Sequence, residues 1–121
     1  MSKLTYISKS RGAKPLVWLQ TQIKTPPLSR NARVELGYYL RLVQQGVIPG
    51  MPHSRSMKNI GRACSELRVR DAGVNWRLVY RVDQDAIVVV GLFVKMSRAA
   101  TDRIIEVCRK RLSQYDAAVE G

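Results

Sequence analysis

The residues best suited to chemistry in this chain are four arginines set between apolar side chains. They lie in Glu66–Arg81, which reads ELRVRDAGVNWRLVYR. Arg68 and Arg70 alternate with Leu67 and Val69. Arg77 and Arg81 alternate with Leu78 and Tyr80. Side chains of a strand switch face at every residue. A hairpin here therefore presents the guanidinium groups on one face and the apolar residues on the other. Like charges directly opposed across strands destabilise their pairing. Such a patch calls for an anionic, phosphate-rich ligand. With Asp71 to Asn75 as the turn, Arg70 is expected near Arg77, with Arg68 one step further out.

The same counting extends to the next apolar run, which ends in FVK at Lys95. Val88, Val90, Leu92 and Val94 form an aliphatic set that reads as helix-facing. Lys95 then shares the arginine face, beyond Gly91, whose missing side chain is expected to leave room for a ligand. His53 and Arg55, in a loop rich in Pro and Gly, are expected to roof the resulting groove. A groove of this composition could cleave RNA without metal. Arginine meets phosphate oxygens bidentately and stays charged. Lysine among positive neighbours loses its proton more readily and can take the one on the 2′-hydroxyl. His53 and Tyr80 are candidates for protonating the leaving oxygen, but alternation puts Tyr80 on the core face.

Other constellations are absent. There is no Walker loop, no GxGxxG after a strand and no GxSxG elbow. Cys64, Cys108 and the single His53 make too few ligands for a zinc site. Asp83 and Asp85 read as turn formers. No metal or cofactor is expected. A net charge of +12, from 21 Lys and Arg against 9 Asp and Glu, favours anionic partners. The longest apolar run, Ala86–Val94, is too short to span a bilayer, and no secretory segment follows the N-terminus. A cytoplasmic protein without a membrane partner or a disulfide is expected.

Stepping along the chain, residues 1–14 read as a basic arm and 1–121 as one domain. Leu16–Ile23 reads as a strand, stopped by Pro26 and Pro27. Ser29 reads as an N-cap, followed by an amphipathic helix to Gln45 carrying Ala32, Leu36, Tyr39, Leu40 and Val43, with Gly46 as its stop. Val47–Arg62 reads as a long loop. Three antiparallel strands follow. A last helix, capped by Ser97 or Thr101, carries Ala100, Ile104, Cys108, Leu112 and Tyr115 inward and Arg103, Lys110 and Arg111 outward. The fold class is α+β: a small antiparallel sheet with helices packed on one face and a basic concave opposite face.

From Lys14 to Asp116, the series WLQTQIKTPPLS, PHSRSM, ELRVRD, WRLVYR, FVK and CRKRL-x-x-Y resembles the phage-derived, HigB-like branch of the RelE toxin superfamily. The resemblance implies the toxin of a type II toxin–antitoxin system. It implies a ribosome-dependent mRNA endonuclease (an mRNA interferase) that inhibits translation. It also implies an antitoxin partner of helix-turn-helix type, with operator DNA reached only through that complex. By the same resemblance Arg68, Arg77 and Lys95 are the catalytic positions, while His53, Arg55, Arg70 and Arg81 contact RNA, Arg81 with the weakest claim. One departure stands out: such sequences carry a second basic residue after the lysine, whereas Met96 and Ser97 follow Lys95 here. The alternatives are a non-catalytic RNA- or DNA-binding module using the same face, and an interaction protein that docks an acidic partner there.

Overall fold

The computed structural model describes residues 13–20, 28–94 and 97–120. The order of elements is β1 (Leu16–Trp18), α1 (Arg30–Gln44), β2 (Ser54–Ser56), β3 (Cys64–Asp71), β4 (Val74–Val82), β5 (Ile87–Val94) and α2 (Arg98–Glu120). The strands form one sheet in the order β1-β5-β4-β3-β2. The class is α+β, as expected. The sheet is mixed rather than purely antiparallel, because β1 runs parallel to β5. β2 is too short for any periodicity to reveal and falls inside the expected loop.

Local chemistry sets the element ends. Ser29 caps α1, its Oγ accepting from the Ala32 amide at 3.2 Å, a contact typically worth about 1 kcal/mol. Gly46, at φ +86°, follows the last turn in the left-handed conformation that a side chain disfavours. Ser97 caps α2 in the same way through the Ala100 amide. The β3–β4 turn is only Ala72-Gly73, both with positive φ, the twist-matched two-residue hairpin turn. That tightness shifts the register by two residues from the expected one: Arg68 opposes Arg77, and Arg70 opposes Asn75.

The helices lie on opposite faces of the sheet, which corrects the expectation that they share one. Ala32, Leu36, Leu40 and Val43 of α1 pack on Leu67, Val69, Leu78, Tyr80, Ile87 and Val89. Ile105, Cys108 and Leu112 of α2 pack on Cys64, Val79, Val88 and Val90. Buried on both faces, β5 has to be apolar throughout. Tyr80 is core, as alternation indicates. Arg111 does not point outward. It donates to the Val90 carbonyl at 2.8 Å and lies 5.6 Å from the Phe93 ring centroid. The basic face is therefore the half of the α2 side that α2 leaves uncovered.

The expected arm falls outside the described residues up to residue 12. Lys14 is tied down: its Nζ donates to the Asp83 carbonyl, and its backbone bonds Gln44 in both directions. The end of the first expected strand and Pro26-Pro27 also lie outside. Among the described residues, no helix is long and apolar enough to cross a membrane.

Candidate functional site

Arg68 and Arg77 form a cross-strand pair whose charges are joined by a residue the sequence reading passed over. Glu66 shares their face two positions before Arg68, and its side chain is 1% exposed. Its Oε2 accepts from Arg68 Nε at 2.9 Å, and its Oε1 lies 3.3 Å from Arg77 Nη1. Two cations and one anion leave one net positive charge, which a single phosphodiester would neutralise. Burial pushes the Arg77 guanidinium below its usual range. Glu66 opposes that shift, while Arg68 and Arg55 add to it. Strand parity alone could have found Glu66, since it alternates in phase with Arg68 and Arg70.

The pair forms part of an open groove of about 430 Å³ lined by Glu35, His53, Arg68, Arg70, Asn75 and Arg77, among others. Arg70 is exposed at the hairpin end. His53 is held by both its backbone groups, its N–H donating to the Gly50 carbonyl and its carbonyl accepting from the Arg68 amide at 2.9 Å. Its ring stacks on Tyr39 with centroids 4.8 Å apart. Arg55 pairs with Glu66 across β2 and β3 and is exposed. Buried Ser54 beside it turns to the Tyr80 hydroxyl, so Arg55 faces the arginine side.

Two expected members stand differently. Arg81 lies four residues along β4 from Arg77, a separation of about 13 Å, and adjoins a different cleft with Asp116, Arg109 and Leu112. Its guanidinium is gripped by Asp83 at 2.7 and 2.9 Å and by Asp116 at 2.7 and 3.0 Å. These contacts raise its pKa still further. Lys95 falls outside the described residues; β5 ends one position before it, and Phe93 is the cross-strand partner of Arg77. The space expected over Gly91 is filled. An added Cβ would meet Arg111 Nη1 at 2.6 Å, Gln20 Oε1 at 2.6 Å and Phe93 Cζ at 2.7 Å. Gly91 admits the protein's own side chains rather than a ligand.

The thiols offer no nucleophile. Cys64 and Cys108 are free and buried, and burial pushes the Cys108 thiol up to about 12. Among the described residues, no cluster of His, Cys, Asp and Glu could hold a metal ion. What the groove can do is offer two arginines to a phosphate, with the His53 ring part of the same lining.

A comparison with protein families matches residues 26–113 to the phage-derived protein Gp49-like family (DUF891). No curated protein matches the chain. No solved structure matches it either.

Proposed function

The chain belongs to the phage-derived Gp49-like family, which is associated with the toxins of toxin–antitoxin systems and implies a cognate antitoxin, and on that premise we propose that it is an endoribonuclease that cuts mRNA on the ribosome. The observation that carries this reading is the Arg68–Arg77 pair, fixed by the buried Glu66 in a groove that His53 also lines.

In the proposed reaction the 2′-hydroxyl oxygen attacks phosphorus, the new O2′–P bond forms and the P–O5′ bond breaks. The products are a 2′,3′-cyclic phosphate and a 5′-hydroxyl. Arg68 and Arg77 take the phosphoryl oxygens, where negative charge builds in the transition state. Donors set in advance at that position are worth far more than mobile ones. Lys95 accepts the 2′ proton. Arg70, Arg55 and His53 hold the strand along the groove. Arg81, engaged by Asp83 and Asp116, is assigned to binding α2 to the sheet. The antitoxin, of helix-turn-helix type by resemblance, would silence the site and carry the complex to operator DNA.

Inducible expression with mapping of mRNA 5′ ends tests the proposal. Wild type should arrest growth and generate new 5′ ends within translated messages, and Lys95→Ala should lose both. Losing the general base costs about 10²- to 10⁴-fold in rate. Intact messages, with salt-sensitive RNA binding of slope roughly −0.7 per phosphate, would identify a non-catalytic binding module instead.

A further inference from the structure

The proposed reaction still needs a group to protonate the departing O5′, and α1 carries side chains that bear on this. The Tyr39 hydroxyl lies 2.9 Å from His53 Nδ1 and 3.4 Å from Glu35 Oε2, to which it donates. Glu35 and Tyr39 are one helical turn apart, so their side chains meet. His53, 14 residues further on, is brought to them by the loop that follows α1.

From this chain, resting on the nuclease reading above, we infer that His53 is the general acid of the site and that Tyr39 and Glu35 are its positioning residues. A phenol has one proton. With that proton on the Glu35 carboxylate, the Tyr39 oxygen can only accept from His53. In this relay Nδ1 carries a hydrogen in both charge states of the ring. Burial foremost, with Glu35 adding to it, holds the Tyr39 phenol above its usual range, so it keeps its proton. The bond made by one ring nitrogen decides the role left to the other. Nε2 is left as the exchanging atom. It gives its proton to O5′ as the P–O5′ bond breaks, and the ring remains as the neutral Nδ1–H tautomer. Lys95 gains the 2′ proton in the same turnover, so one proton enters the protein as one leaves, and solvent returns both groups to their starting states.

The charged and titratable groups that touch the ring or share its groove are Tyr39 and Glu35 from α1, Arg68 and Arg70 from β3, and Arg77 from β4. Tyr39 accepts the Nδ1–H and passes its own hydrogen bond on to Glu35.

His53 is the single histidine of the chain, so its ring nitrogens can be read directly by ¹⁵N NMR. The expected neutral form in wild type is Nδ1–H, changing toward Nε2–H in Tyr39→Phe. For cleavage, His53→Gln should lose about 10²-fold or more. Tyr39→Phe should lose about tenfold and move the alkaline limb of the pH–rate profile to lower pH, because imidazolium loses its acceptor. Glu35→Gln should move the limb the same way by less. A neutral Nε2–H tautomer in wild type, or a limb unmoved in Tyr39→Phe, overturns the relay while leaving the nuclease intact. Absence of any cleavage by wild type overturns the nuclease reading, and the acid role of His53 with it.

Discussion

Arg77→Ala tests whether the arginine pair is built into the fold as well as into the site. In the folded protein Glu66 is 1% and Arg77 11% exposed, while Arg68 keeps 28%. Removing Arg77 leaves a buried carboxylate on Arg68 alone, with its Oε1, already lacking a hydrogen-bond donor, facing no charge. Breaking a fully buried pair costs about 3–5 kcal/mol. Arg68 remains and Arg77 reaches the groove, so the cost falls to the bottom of that range or just under it, about 2–3 kcal/mol. For a domain of this size that lowers Tm by about 10 °C. Urea unfolding followed by circular dichroism gives the number. A cycle with Glu66→Gln and Arg77→Met isolates the coupling, expected at about 1–3 kcal/mol, with the double variant more stable than the sum of the single losses requires. Stability of Arg77→Ala within about 0.5 kcal/mol of wild type, together with zero coupling, would refute the reasoning. The consequence for function is direct. Loss of toxicity in Arg77→Ala mixes chemistry with unfolding, so Arg77→Lys, which keeps a cation over Glu66, is the cleaner probe of the bidentate role.

Two further outcomes are expected. The hydrogen bonds from Arg81 hold the Asp116 carboxyl below its ordinary 3.8 despite some desolvation. The resulting stability is complete above that value and is lost as pH falls through the depressed folded value. Asp116→Asn should therefore flatten the acid decline of the urea midpoint; an unchanged decline would show the pair to be idle. Gly91→Ala places a methyl within 2.7 Å of Arg111, Gln20 and Phe93. It should cost about 1–3 kcal/mol, because Arg111 and Gln20 must give up their bonds to Val90 and Leu92; thermal unfolding matching wild type would mean that they move freely.

Strand alternation and helix periodicity made the core of this fold legible. Leu67, Val69, Leu78 and Tyr80 are buried where their parity puts them, and Ala32, Leu36, Leu40 and Val43 where a helical stripe does. Ser29, Gly46 and Gly73 mark ends that local conformation dictates. The order in which strands pair was not legible in the same way. A parallel β1 and a three-residue β2 are stabilised by neighbours distant in the chain, and no local preference records them.

The sequence by itself determined that the arginines share a face, because alternation is a property of any extended chain. Only the tertiary structure decided how their charges are balanced. The two-residue turn sets Arg68 against Arg77. Covering β5 on both sides leaves α2 on the arginine side, where Asp116 takes up Arg81. The loop after α1 carries His53 back onto Tyr39. Charge pairing depends on distance in space, and Asp116, which supplies it to Arg81, comes from an element far along the chain. Glu66 is the exception: parity places it beside the arginines, and the packing around it turns a neighbouring acid into a buried counterion.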